Sequence, residues 1–430
     1  MKKSVVCFVL CAAALVGCPL LNVKAQETFN YAEAKVGTYT LPPLLQTPDG
    51  KKISSAAQWN TVQRPALLKV FADEIYGKFP VKPPGLHFKV TSEDKAALGG
   101  KAIRKQIRIY FTAQDTGASM DVLLYLPKQI KGPVPVFAGL NFKGNHTVHA
   151  DPQITVTKRW VANDKNAGIT NNQATENTRA LQARRWPVEE IIARGYGLAT
   201  AYYGDLEPDY PEGWQTGVRT QMSKALQIKP EEWGAIGAWA WGMSRMMDYF
   251  QTDPSINAKK VALIGHSRIG KATLWTGAND PRFALIIANE SGEGGAALAR
   301  RWYGETVARL NSAFPHWFSP NYKKYDNKPR ELPVDQHQLL ALMAPRPLYV
   351  ASAQEDQWSD PKGEFLGAQA VGPVYALFGK KGIETTEMPG INQPVGETVR
   401  YHNRSGKHDV TAYDWQQYLD FADKHWGKSQ

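Results

Sequence analysis

The sequence predicts an α/β protein in which helices flank a mainly parallel central sheet, giving a three-layer sandwich. Short hydrophobic runs typical of buried strands, such as residues 261–264 and 347–351, alternate with longer runs typical of helices, such as residues 233–250 and 412–425. Parallel strands need crossover connections, which are usually helical and right-handed. The chain has 430 residues, 43% of them hydrophobic, and is therefore long enough to bury a large core.

Periodicity and turn residues define the elements. The polar, proline-rich residues 27–57 predict an extended arm over the surface, and the helix that follows it ends at Gly77. In chain order we predict a helix at 64–76; strands at 101–110, 120–126, 135–140 and 196–203; a helix at 233–250; strands at 261–264, 284–288 and 347–351; and a final helix at 412–425.

A long polar stretch at residues 141–185 interrupts this pattern. Loops of this length inside a compact domain are usually functional or disordered. We expect a structured rim beside a cleft that carries His146, Trp160 and Trp186 toward a bulky ligand. A disordered insertion is the alternative, because the stretch is polar.

The first 25 residues resemble a secretory signal peptide. Lys2 and Lys3 precede an apolar run at residues 5–16, and Ala25 ends a small-residue cleavage pattern before Gln26. A competing interpretation is a bacterial lipobox that would lipidate Cys18. We expect a single catalytic domain at residues 26–430, exported to the periplasm or secreted. All three cysteines precede it, so the mature domain has no disulfide.

Charge and composition exclude several partners. The formal net charge is +11, but no lysine or arginine tract and no aromatic RNA-binding signature accompanies it, so we expect no nucleic acid. The apolar run near the start is too short for a membrane span. The oligomeric state does not follow from the sequence.

A strand, a sharp turn and a helix surround Ser267. The strand at 261–264 runs into Gly265, His266, Ser267, Arg268, Ile269, Gly270 and Lys271, which is the context of a nucleophile elbow in an α/β-hydrolase fold. The match departs from G-x-S-x-G because the second glycine falls at position 270. The alternative is an ordinary strand–helix turn.

A serine nucleophile needs a base, which this fold places late in the chain. His408 lies just before the last predicted helix and is the candidate. His402 competes, but its neighbours Tyr401 and Asn403 favour the end of a strand and a surface or core role.

Two carboxylates are candidates for the acid that orients His408. Glu290 ends the strand after the nucleophile helix, and Asp356 follows the next strand. Either could orient His408, and the residues leave open which of them does; for each, the alternative is a cap of a helix or loop. The histidines lack metal-binding spacings, so we expect no metal and no cofactor.

At this point the sequence resembles the glucuronoyl esterases, carbohydrate esterase family fifteen, of bacterial type. The family's elbow reads G-C-S-R-x-G-K, which residues 265–271 match except at His266. Further likeness lies at residues 139–146, 290–292 and 356–358, so the resemblance spans roughly residues 64–425.

The resemblance implies hydrolysis of the ester between 4-O-methyl-glucuronate branches of xylan and lignin alcohols. By position, Glu290 would be the acid and Asp356 the alternative or second acid, so we expect both to lie near His408, with Glu290 dominant. Arg268 would help to hold the oxyanion, while Lys271, Glu305 and Trp358 would bind the uronate. The alternatives are an acetyl xylan or other carbohydrate esterase and, in another class, a non-catalytic glycan-binding surface protein.

One departure concerns His266 and Asp409. Fungal members carry a disulfide between cysteines at these two places, according to the resemblance. Both positions differ together here, so we expect His266 and Asp409 to form a hydrogen bond that replaces the disulfide.

Overall fold

A computed structural model describes residues 30–427, and these form a ten-stranded sheet with helices on both faces. The predicted signal peptide and Cys18 lie outside the described residues. The strand order is β1-β2-β3-β5-β4-β6-β7-β8-β10-β9. The strands are β1 His87–Ala97, β2 Ala102–Tyr110, β3 Ser119–Pro127, β4 Val134–Asn141, β5 Gly197–Tyr202, β6 Ile256–His266, β7 Leu285–Asn289, β8 Leu348–Ala353, β9 Val395–Gly396 and β10 Val399–Arg404.

The middle of the sheet is parallel and its two edges are antiparallel. Strands β5, β4, β6, β7, β8 and β10 pair in parallel, whereas β1, β2 and β3 at one edge and β9 at the other pair antiparallel. The predicted mainly parallel α/β-hydrolase sheet is thus confirmed. The carboxyl ends of the parallel strands meet at one edge of the sheet, where this class of fold places ligands.

The helices vary widely in length. The two longest are Ala235–Phe250 and, at the end of the chain, Ala412–Trp426. The first begins two residues after Trp233, which forms an isolated β-bridge with Gly77. The α-helices are α1 Ala56–Gln58, α2 Arg64–Phe71, α3 Val188–Ala193, α4 Val218–Gln221, α5 Ser223–Leu226, α6 Ala235–Phe250, α7 Arg268–Asn279, α8 Val307–Ala313, α9 Gln336–Ala341, α10 Pro361–Ala370, α11 Gly372–Ala376 and α12 Ala412–Trp426.

Two hydrophobic layers cover the two faces of the sheet. In β6, Val261 and Leu263 pack into the layer that contains α6 and α7, whereas Ala262 and Ile264 pack into the layer that contains α3 and α12. Successive side chains of a strand point to opposite faces, so a strand buried on both sides reads as a continuous apolar run. This is why residues 261–264 were predictable from sequence.

The sequence analysis missed β1. Its residues, HFKVTSEDKAA, are mostly exposed or half-buried because the strand lies at the edge of the sheet. An edge strand buries little side-chain area and therefore lacks the apolar periodicity on which the prediction depends. The strands that were predicted are confirmed to within a few residues. The exception is the strand predicted at 261–264, because the observed β6 begins five residues earlier, at Ile256.

The stretch at residues 141–185 has a defined path built from short 3-10 turns, at Asn145–Thr147, Lys165–Ala167, Glu176–Thr178 and Ala183–Arg185. The prediction that it points His146 and Trp186 at a substrate is wrong. His146 is buried and its Nε2 lies 2.7 Å from Oγ1 of Thr178, while Trp186 packs against Trp415 in the core. His146 thus stabilises the segment itself, and Trp186 anchors its end to the last helix. Trp160 is half-buried against Tyr210.

Within residues 30–427, none of the helices combines the length and the apolar character that a membrane crossing demands.

Candidate active site

Ser267 lies in a strained turn between β6 and α7. Its φ of 56° and ψ of −132° are unusual for a residue with a side chain, and its N–H donates to the carbonyl of Asn289 at 2.9 Å. A Cβ at Gly265 would lie 2.3 Å from Oγ1 of Thr273, and one at Gly270 would lie 2.9 Å from Cβ of Ser291. The glycines at both positions therefore follow from the close approach of β6 to α7 and of α7 to the segment after β7.

His408 lies beside this turn and faces both candidate acids. Its Nδ1 is 2.6 Å from Oδ2 of Asp356 and 3.0 Å from Oε2 of Glu290. Its ring centroid is 4.4 Å from that of His266, the residue that precedes Ser267. The sequence prediction that both acids lie near His408 is confirmed, but Asp356 is the nearer of the two.

The charges around His408 favour its protonated form. Burial lowers the pKa of His408, but the hydrogen bonds with Asp356 and Glu290 outweigh it and raise the pKa to about 9. Burial also acts to raise the pKa of Asp356, but the bond from His408 outweighs it and the net shift is downward. The ionised acid is thus paired with an imidazole that accepts a proton readily.

Glu290 is embedded in a denser network than Asp356. Its Oε1 accepts from Arg404 at 2.6 Å, and its Oε2 accepts from the N–H of Asp409 at 2.9 Å. Burial raises the pKa of Glu290 to about 7, although His408 and Arg404 favour the charged carboxylate. Glu290 has a φ of 46°, a second strained residue at this edge of the sheet.

Arg404, which the sequence analysis missed, holds the loop that carries His408. At the end of β10, its guanidinium donates to the carbonyls of Lys407 at 2.9 Å and Asp409 at 2.7 Å, and its Nε donates to Asp414 at 2.8 Å. It is almost fully buried. The planar guanidinium thus connects the His408 loop, Glu290 and α12, a geometry that lysine cannot reproduce.

Arg268 projects from the first position of α7 into a cage of aromatic rings. Its guanidinium pairs with Asp209 and lies 4.9 Å from the ring centroid of Trp317. Asp209 also accepts from Nε2 of His316 at 2.9 Å and from Nε1 of Trp317 at 2.7 Å. Burial acts to raise the pKa of Asp209, but these donors and Arg268 outweigh it and lower the pKa to about 2. A fixed anion therefore holds the arginine in place beside Ser267.

Lys271 and Glu305 form a buried ion pair one turn further along α7. The Lys271 ammonium donates to Glu305 and, at 2.6 Å each, to the carbonyls of Ser291 and Glu293. Its three protons are therefore all engaged. Trp358 lies next to this pair, because its carbonyl accepts from the N–H of Glu305 at 2.7 Å. The three predicted uronate-binding residues are thus neighbours, and their contact with a sugar stays a prediction.

The expected bond between His266 and Asp409 is wrong. Nδ1 of His266 lies 2.6 Å from Oδ1 of Asn289, and Asp409 instead pairs with Arg184 and Arg185 from the 141–185 stretch. Each of the two side chains is thus bonded to a different partner. The interpretation of His402 is confirmed: it is fully buried and bonds to Asp414 at 2.9 Å.

His266, Glu290 and His408 also offer possible metal-ligand atoms within 4.8 Å of one another, the one such group in residues 30–427. The oxygens of Glu290 already accept from Arg404 and from a backbone N–H, and Nδ1 of His408 faces two carboxylates. Hydrogen bonding therefore accounts for this arrangement. The expectation that the site uses no metal stays a prediction.

Comparisons with known proteins by family model, by sequence and by structure all point to the same family. Residues 225–379 match the family model "Glucuronyl esterase, fungi". A carbohydrate esterase from an unknown prokaryotic organism is 49% identical over 99% of each chain. The solved glucuronoyl esterase from Solibacter usitatus is 52% identical, with a TM-score of 0.86 over 92% of this chain and 100% of that one. A promiscuous CE15 esterase from a marine bacterial metagenome is 49% identical with a TM-score of 0.87, at the same coverage. The chain therefore belongs to carbohydrate esterase family fifteen, the glucuronoyl esterases, and is a carboxylic ester hydrolase.

Proposed function

We propose that this enzyme hydrolyses the ester between 4-O-methyl-glucuronate branches of xylan and lignin alcohols. The observation that carries the proposal is the placement of Ser267 in a strained elbow between two charged assemblies. On one side His408 faces Asp356 and Glu290, and on the other Arg268 is held by Asp209. The name of the glucuronoyl esterase from Solibacter usitatus gives the substrate class.

Ser267 is the nucleophile in the mechanism that we propose. Its hydroxyl attacks the glucuronoyl carbonyl carbon while His408 accepts the proton. The negative charge that develops on the carbonyl oxygen is stabilised by the backbone N–H and guanidinium of Arg268, whose charge is permanent. Collapse of this intermediate expels the alcohol, which takes the proton from His408. Water then attacks the acyl-enzyme with His408 again as base, and this step releases glucuronate.

The imidazolium of His408 forms at each transition state, so a neighbouring carboxylate lowers the barrier. Asp356 and Glu290 both supply negative charge within 3.0 Å of Nδ1. The two carboxylates stabilise the protonated form and so raise the pKa of His408 to about 9. Only the neutral imidazole accepts the serine proton, so kcat/KM rises with pH until His408 is deprotonated.

The charged pair beside the elbow supports a sugar acid as substrate. Lys271 and Glu305 are charged and lie beside the elbow, and an acetyl group would leave both without a function in binding. We further propose that Lys271 fixes the Glu305 carboxylate, which accepts from the uronate hydroxyls, with Trp358 against the ring.

The test compares purified enzyme on a benzyl ester of glucuronate and on acetylated xylan. We expect turnover of the glucuronate ester and little release of acetate. Preferential release of acetate would favour an acetyl xylan esterase, and no turnover of either would favour a glycan-binding protein. Ser267→Ala should abolish hydrolysis and leave the melting temperature unchanged, whereas Ser312→Ala, an exposed serine in α8, should retain full activity.

We also propose that the mature enzyme begins at Gln26 after export to the periplasm or beyond the cell. Mass spectrometry of the secreted or periplasmic protein gives the first residue. A lipid-modified Cys18 at that position would replace this proposal with membrane anchoring.

A further inference from the structure

The N-terminal arm lies against the loop that carries Glu305. Gly304 donates its N–H to the carbonyl of Asn30 at 2.7 Å, and Nδ2 of Asn30 donates to the carbonyl of Trp302 at 3.3 Å. On the other side of this loop, Glu305 donates to the carbonyl of Trp358. A Cβ at Gly304 would lie 2.2 Å from that carbonyl oxygen, so only glycine allows the approach. The arm therefore packs on one side of the Glu305 loop, and Trp358 packs on the other.

Tyr31, the residue after Asn30, is an exposed aromatic residue of the arm beside this loop. Its side chain is 48% exposed, and its ring meets that of Tyr303 edge-on, with centroids 6.2 Å apart. Partial burial and the negative charges of Asp356 and Glu305 raise the pKa of Tyr31, while Arg309 opposes them. The Tyr31 hydroxyl is thus close enough to both Asp356 and Glu305 to be affected by their negative charges.

The arm is fixed before any substrate binds. Glu33 accepts from Arg301 at 2.8 and 3.2 Å and from Lys362 at 2.8 Å, and Arg301 also pairs with Asp360 at 2.8 Å. Two cations therefore hold the carboxylate that lies two residues after Tyr31. An aromatic ring on such a fixed segment loses little conformational freedom when a ligand packs against it.

We propose that Tyr31 is a substrate-binding residue that packs against the pyranose ring of the uronate acyl group. This inference rests on the proposed function. The acyl side is favoured over the alcohol side because Asn30 and the Tyr31 ring contact the loop that carries Glu305, the candidate uronate-binding carboxylate. A tyrosine ring offers an apolar face to the sugar C–H groups and a hydroxyl to its polar groups.

The experiment compares Tyr31→Ala with the wild-type enzyme on methyl and benzyl esters of glucuronate. We expect KM to rise about three- to tenfold, by the same factor for both alcohols, and kcat to change by less than about twofold. Tyr31→Phe should retain most of the affinity because the ring remains. Tyr39→Ala, at a half-buried tyrosine further along the arm, is the matched control and should leave both constants unchanged.

Three results would overturn the inference. The first is an unchanged KM in Tyr31→Ala. The second is a loss confined to the benzyl ester, which would place Tyr31 on the alcohol side. The third is a fall in kcat with a lower melting temperature, which would make Tyr31 a structural residue. Inactivity of the wild-type enzyme on both glucuronate esters would instead refute the proposed function, so the two failures are distinguishable.

Discussion

Glu290 and Asp356 both face Nδ1 of His408, yet the protein holds these two carboxylates differently. Glu290, at the end of β7, is bonded to Arg404 and to a backbone N–H of the His408 loop. Asp356, in the turn after β8, makes the shorter contact with His408, and its pKa is lowered by that contact. The comparison indicates that Asp356 supplies most of the charge that His408 senses, whereas Glu290 mainly helps Arg404 to hold the loop.

Removal of both acids should have the largest effect. In the double variant Asp356→Asn/Glu290→Gln, no carboxylate faces Nδ1 of His408. The imidazolium therefore loses its stabilising charge, and the neutral ring is no longer held in its orientation. We expect kcat to fall by about 10⁴, the scale known for loss of a triad acid. Steady-state kinetics on a glucuronate ester measure this. A double variant within tenfold of wild type would mean that another group orients His408.

The single variants separate the two roles. Asp356→Asn should lower kcat by roughly 10²–10³, and the matched change Glu290→Gln by about tenfold, because the nearer and less neutralised carboxylate contributes more. This order reverses the expectation from sequence, which favoured Glu290. If Glu290→Gln is the more damaging change, the distances of 2.6 and 3.0 Å do not rank the two acids.

Arg404→Gln tests the structural half of the comparison. The change removes the guanidinium that both buried carboxylates, Glu290 and Asp414, contact, and breaking a buried pair in this way typically costs about 3–5 kcal/mol. Urea unfolding gives the free energy of unfolding. Arg194→Gln is the control, since its pairs with Asp420 and Asp423 lie nearer the surface and should contribute less than about 1 kcal/mol. An equal loss of unfolding free energy in the two variants would show that the buried Arg404 contributes no more to stability than a surface arginine.

The pH profile should show the smallest effect. His408 has a raised pKa of about 9, so the wild-type kcat/KM should rise with pH up to that value. Loss of the Asp356 charge lowers the pKa of His408, so the acid limb of Asp356→Asn should move to lower pH by at least about one unit. Glu290→Gln should move it less, because Arg404 already offsets that charge. An identical limb in all three proteins would assign the titration to another group.

Much of the site was predictable because its residues follow strands along the chain. Ser267, Glu290, Asp356 and His408 come just after β6, β7, β8 and β10, whose carboxyl ends meet at one edge of the sheet. The polar residues of β1 and the short turns of residues 141–185 were not predictable in this way, because neither has a sustained apolar period.

The sequence alone determined the parallel α/β core, the elbow around Ser267, and the positions of His408 and of the two carboxylates that face it, because each depends on local pattern and chain order. The tertiary structure decided which groups meet: Arg404 with Glu290, 114 residues apart; Arg268 with Asp209, 59 residues apart; and His266 with Asn289 in place of Asp409. It also brought Tyr31 of the arm to the Glu305 loop. Such contacts depend on which strand ends and loops lie side by side, and hydrophobic periodicity carries no information about that lateral order.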